Sequence, residues 1–182
     1  MYDLDWLIQQ YQSKQKLKYV YFWGHSKRAD GQLTHSCFSQ WWTAPFVVDG
    51  ITYPTAEHYM MAQKAKLFAD EDSFAKIIAS SHPKQAKDLG RKVLGFDEKV
   101  WNKHRFDIVV AGNLAKFAQH QELQNYLLGT GQRVLVEASP VDKIWGVGLA
   151  KDDERITNPL QWKGLNLLGF ALMEVRDRLQ GQ

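Results

Sequence analysis

The sequence of 182 residues has one cysteine, Cys37, and only five prolines. A single cysteine excludes an intrachain disulfide framework and any multi-cysteine zinc site. No run approaches the ~18 uninterrupted apolar residues of a membrane span. The opening MYDLDWLIQQYQSKQK carries acids early, where a signal sequence would be basic and then apolar. Neither sign of charge dominates: 23 Lys and Arg against 20 Asp and Glu give a net +3. Disorder driven by self-repulsion is thereby excluded, and only a mild bias remains toward anionic partners, phosphorylated metabolites as much as nucleic acid. Walker-type loops, Gly-x-Gly-x-x-Gly and His-Glu-x-x-His are all missing, since Glu57-His58 lacks the flanking histidines of the last. The six histidines are scattered and suggest no metal site. What these absences leave is a chain long enough for one domain with a substantial core, expected to be cytoplasmic and to have no membrane partner.

Aromatics are plentiful, with seven tryptophans among them. Several stand beside glycine or polar residues: Trp23-Gly24-His25, Trp41-Trp42 and Trp145-Gly146. A flat ring there either lines a cleft or fills the core. Residues 3–12 read as a short helix with Trp6, Leu7 and Tyr11 on one side, and Tyr19–Trp23 as a strand. The polar stretch Gly24–Ser36 is a loop, long for an inert connection. Asp49-Gly50 between two branched runs predicts a tight hairpin, after which Thr55 caps a helix over Ala56–Phe68. Further helices are expected over 70–80, 83–93, 98 to about 120 and 122–128, Gly112 weakening the longest. Arg133–Glu137 reads as a strand, 138–162 as irregular chain, and Leu165–Leu179 as a helix with the apolar stripe Leu168, Leu172, Val175 and Leu179. The expected fold is mainly α, bordering on α+β: one compact domain over residues 19–182, preceded by a helical extension over 1–18.

Two segments could carry chemistry. On the helix after the hairpin, Glu57, Met60, Met61, Lys64 and Phe68 follow helical spacing, so Glu57 and Lys64 lie two turns apart on one face. Burial against methionine would raise the pKa of a carboxylic acid and lower that of an amine, as a general acid and a nucleophilic lysine require. A solvated helix edge, with Glu57 complementing the helix dipole, would show the same spacing. The second segment is Ser139–Gly148, where a strand delivers Asp142 and Trp145 into a glycine-bearing loop: a carboxylate beside an aromatic platform, or an ordinary turn with a packing ring. Asn166 either contacts a polar ligand or caps the last helix. Cys37 is expected to be a small buried thiol, and the basic run Lys99–Arg105 a solvated face able to attract phosphate.

The order of motifs is more specific than any one of them. Phe22-Trp-Gly-His25, Cys37-Phe-Ser-Gln-Trp-Trp42, Pro45-Phe46, Asp49-Gly50 and Tyr53-Pro-Thr-Ala-Glu-His-Tyr-Met-Met-Ala-Gln-Lys64 succeed one another. Ala86-Lys87, Gly90-Arg91, Lys116-Phe117, Leu127–Gly131, Leu135–Glu137, Asp142 with Trp145–Gly148, and Gly164–Gly169 follow. From Tyr21 to Leu179 the chain resembles the NADAR (YbiA-like) family. The resemblance implies a compact, mainly helical fold and hydrolysis of N-glycosidic bonds. Relatives act on phosphoribosylamino-pyrimidine intermediates of riboflavin synthesis, releasing ribose 5-phosphate, or remove ADP-ribose from guanine in nucleic acid. A non-catalytic module for ADP-ribose or nucleotides would use the same aromatic and basic groups. Ser39-Gln-Trp-Trp42 departs from the Ser-Asn-Phe-Tyr of many relatives, in an expected pocket wall. Breaking a C1–N bond asks for an acid at the leaving nitrogen and a carboxylate near the cationic sugar. On that scheme Glu57 is the acid/base and Asp142 orients or stabilises. Trp145 and Trp42 shape the heterocycle pocket, and Arg91 and Arg28 hold phosphate. Lys64 either binds phosphate or attacks C1 of a ring-opened sugar. No metal or organic cofactor enters it, and the expected partner is a small phosphorylated ribosyl substrate, or nucleic acid carrying ADP-ribose.

Overall fold

At Asp49 and Gly50 the backbone turns left-handed, φ being 51° and 77°. This geometry matches the twist of a two-residue hairpin, so β2 (Phe46–Val48) pairs antiparallel with β3 (Ile51–Tyr53), Phe46 opposite Tyr53. The computed structural model describes residues 2–181. Among them are seven α-helices and four short strands, a mainly helical fold as expected. None of the helices is long and apolar enough to cross a membrane. The described chain divides into two units, a helical one over residues 40–120 and a mixed one made of the residues up to 39 and from 121 onward.

In the helical unit the hairpin leads into α2 (Ala56–Leu67), followed by α3 (Glu71–Ala79), α4 (Pro83–Gly90) and α5 (Glu98–Ala118). Thr55, Asp70, His82 and Asp97 each accept a backbone N–H with the side chain, starting the four helices in turn. α2 packs against α3, α4 and α5. It is buried nearly all round its first two turns, Ala56 through Ala62. Burial there extends to His58, whose Nε2 donates to the Ser80 carbonyl (3.1 Å) while Nδ1 accepts from the Thr55 hydroxyl (2.8 Å). Both ring nitrogens are thus used structurally, and burial holds the His58 pKa below its ordinary value. Gly112 does more than weaken α5: a Cβ there would lie 2.4 Å from the Tyr59 ring, so its absence makes room for that ring. α4 ends at Gly90, three residues short of the expected end, where Lys64 takes the Gly90 carbonyl as its acceptor.

In the mixed unit β1 (Tyr19–Phe22) and β4 (Val134–Glu137) pair in parallel, Tyr19 opposite Val134 and Phe22 opposite Glu137. α6 (Gln121–Leu128) precedes β4, and α7 (Leu167–Gln180) packs on it. The expected stripe Leu168, Leu172, Val175 and Leu179 is wholly buried. Gly169 is required by close approach, since a Cβ there would stand 2.1 Å from the Leu135 carbonyl oxygen. The first helix, α1 (Leu4–Gln12), is anchored: Leu7 is buried, the helix packs on the turn Pro159–Gln161, and the Tyr2 hydroxyl donates to Asp177 (2.6 Å). Trp6 and Tyr11, expected beside Leu7, remain partly exposed. Under α7 lies a buried cation, Arg176, donating to the Thr130 hydroxyl (2.9 Å) and the Arg133 carbonyl (2.8 Å).

Candidate active site

Glu57 stands in the first turn of α2, where its backbone N–H donates to the Gln40 carbonyl (3.0 Å). Its side chain is only 4% exposed, which excludes the solvated-edge reading of the Glu57 and Lys64 spacing. A carboxylate at a helix N-terminus gains from the positive end of the dipole, and burial opposes its charge. Two turns on, about 10 Å along the axis, the Lys64 ammonium donates to the Gly90 carbonyl (2.8 Å). It lies 4.2 Å from the centre of the Phe96 ring and 5.5 Å from that of Trp101. Burial lowers the Lys64 pKa from its ordinary value. Two residues before Phe96, the Leu94 N–H donates (2.8 Å) to Asp70, a buried carboxylate that also caps α3 through Ser73 N–H (3.0 Å).

The glycine-bearing loop is built differently. Asp142 Oδ1 accepts from the backbone N–H groups of Ile144 and Trp145, both at 2.8 Å, while its own N–H donates to the Ser139 hydroxyl (3.1 Å). Backbone bonds then tie this loop to the start of α7: Leu165 N–H to Lys143, Asn166 N–H to Gly146, and Leu168 N–H to Trp145. Asn166 is left-handed (φ 54°) and fully buried. Its Oδ1 accepts the Glu137 N–H (3.0 Å) and its Nδ2 donates to the Leu135 carbonyl (2.9 Å). Asn166 is therefore not a side-chain cap of α7. Its amide is committed to the edge of β4, because the backbone there has no third strand to pair with.

The structure thus brings Glu57 and Lys64 onto one face of α2 within the helical unit, and Asp142, Trp145 and Asn166 into one bonded loop of the mixed unit. Trp42 is buried in the helical unit. Arg91 is exposed, 3.9 Å from Asp88, and Arg28 is exposed and bidentate to Asp30 (3.1 and 2.7 Å). Residue spacing did not single out the two rings over Lys64, because they come from α5 and the turn before it. Lys116 is fully buried in α5, on the inward stripe with Val109 and Asn113. Among the described residues no group of three or more His, Cys, Asp or Glu is placed to hold a metal ion.

The model of the NADAR domain matches residues 21–180. The chain belongs to the NADAR family. N-glycosidase R617 of Acanthamoeba polyphaga mimivirus is 45% identical over 168 residues, 90% of this chain and 97% of that protein. N-glycosidase YbiA of Escherichia coli (strain K12) is 38% identical over 144 residues, 79% of each chain. The NMR structure of E. coli YbiA superposes with a TM-score of 0.71 at 33% identity, covering 89% of this chain and 84% of that one. The fold is accordingly YbiA-like. With N-glycosidases matching along most of its length, the chain is an enzyme of that class, a hydrolase acting on N-glycosyl bonds.

Proposed function

We propose that this enzyme hydrolyses the ribosyl C1–N bond of a phosphoribosylamino-pyrimidine, releasing ribose 5-phosphate and the free aminopyrimidine. The observation that carries the residue roles is that one face of α2 holds a buried carboxyl group and, two turns on, a half-buried amine. A glycosylamine opens to an imine at C1. Addition of the Lys64 amine there gives a diamine, and Glu57 protonates the pyrimidine nitrogen so that it leaves neutral. The remaining Lys64 iminium takes up water, frees ribose 5-phosphate as its aldehyde and regenerates the amine. The setting of Lys64 favours this role over phosphate binding: a carbonyl acceptor and two ring faces surround the nitrogen, and a phosphate dianion gains nothing from either. Asp142 acts as an orienting residue, its carboxylate holding the turn that presents Trp145.

The test offers a phosphoribosylamino-pyrimidine and an ADP-ribosylated guanine oligonucleotide side by side, with borohydride added in a parallel reaction. Release of ribose 5-phosphate and a reduced ribosyl phosphate adduct on Lys64 are expected. Release of ADP-ribose alone would move the substrate to nucleic acid. Turnover with no adduct on Lys64, and undiminished in Lys64→Arg, would remove the amine from the mechanism.

A further inference from the structure

The loop Gly24–Ser36 is neither short nor slack. The Ser36 hydroxyl donates to the Ser26 carbonyl (3.0 Å), so the 2.6 Å contact between Thr34 and Ser36 hydroxyls has Thr34 as donor. Arg28 is fixed to Asp30, whose carboxylate also accepts the Gln32 N–H (3.1 Å). His35 Nδ1 lies 3.1 Å from the Tyr21 carbonyl, an acceptor only, so Nδ1 carries the proton and Nε2 is left as an acceptor in the neutral ring. This pre-formed loop, with the ends of β1 and α6, walls a pocket of about 630 Å³ inside the mixed unit. That volume suits one nucleotide-sized ligand.

Its lining is unusual for an idle surface. Trp23 is 61% exposed, a large ring left in water where β1 ends. Lys151 also lines the pocket and enters no ion pair among the described residues, and Arg28 adds a second cation partly offset by Asp30. No carboxylate lines the pocket. An exposed indole offers a stacking plane, and an uncompensated ammonium offers a point charge for phosphate.

We propose that this pocket binds a heteroaromatic ring joined to a phosphate, the ring on Trp23 and the phosphate on Lys151. Taking that ligand to be of the substrate's own class rests on the glycosidase reading above; the pocket itself does not. The probes are cytidine 5′-monophosphate, cytidine and ribose 5-phosphate, titrated calorimetrically against the full chain at two salt concentrations. Trp23→Ala should weaken the monophosphate and cytidine by about fivefold or more, and Trp23→Phe should restore most of that loss. Lys151→Ala should weaken the monophosphate and ribose 5-phosphate, flatten their salt dependence, and leave cytidine unchanged. Lys84→Ala, at an exposed lysine paired with Asp88 and lying outside the pocket and the residues assigned to the reaction, should bind all three as the parent does. No saturable binding of the monophosphate at millimolar concentration, or binding by Trp23→Ala and Lys151→Ala as tight as the parent's, overturns the pocket, whether or not Glu57→Gln is inactive. Persistent turnover by Glu57→Gln overturns the residue roles given above and leaves the pocket standing.

Discussion

The two units position polar side chains by opposite means. In the helical unit, Glu57 and Lys64 share a face because a helix repeats every 3.6 residues, and neighbouring helices merely bury that face. In the mixed unit, Asp142 and Trp145 sit in irregular chain that no repeat can align. There the alignment comes from a buried left-handed asparagine, two amides on one carboxylate oxygen, and glycines where backbones nearly touch. A helix face tolerates loss of one polar group; a loop held by single side chains does not. In the helical unit chemistry and stability should separate on mutation, and in the mixed unit they should fall together.

The largest expected effect tests the first half of that contrast. Glu57→Gln should lower kcat/KM by about 10²–10⁴-fold while thermal unfolding moves little, because the amide keeps the shape of the buried group. A comparable loss of stability would mean that Glu57 is a structural group. The second half is tested at Asn166. Asn166→Ala leaves the Glu137 N–H and Leu135 carbonyl unpaired and puts alanine at φ 54°. Urea denaturation should show a loss of about 2–4 kcal/mol, and a loss below ~1 kcal/mol would show that the loop does not depend on that clamp.

A smaller effect sharpens the comparison from the packing side. Gly112→Ala would ordinarily stabilise a helix, but its Cβ meets the Tyr59 ring, so a net loss of about 1–2 kcal/mol is expected. A gain would show that the ring moves aside freely. The smallest effect is electrostatic. Burial lowers the folded-state pKa of Lys64 below its unfolded value, so the protonated amine opposes folding at neutral pH. Relative to Lys64→Met, the parent should gain stability as pH rises through the lowered folded pKa, and stop gaining above the unfolded value of about 10.4. Denaturation curves of both proteins across that range check the sign, and a difference independent of pH would place the amine in water.

The legible parts of this molecule are those whose cause is local. Asp49-Gly50 marked the hairpin, Thr55 and Asp97 marked helix starts, and the spacing of Leu168, Leu172, Val175 and Leu179 marked a buried face. The same periodicity placed Glu57 and Lys64 on one face, and the order of motifs placed the chain in its family. What failed to read was whatever depends on residues far apart in the chain. Nothing near Tyr19 announces Val134 as its partner in a parallel pair. Nothing near Asn166 announces that its amide serves Glu137 and Leu135. Nothing near Gly90 announces that its carbonyl serves a lysine twenty-six residues earlier.

Composition and local spacing were enough to determine a helix-rich chain with a carboxyl group and an amine on one helical face, since turn chemistry, capping and periodicity act over a few residues. Only the tertiary structure decided that this face is buried, that aromatic rings flank the amine, and that Asn166 is a clamp. Burial, dielectric environment and the pairing of backbone groups are set by segments that meet only once the chain has folded.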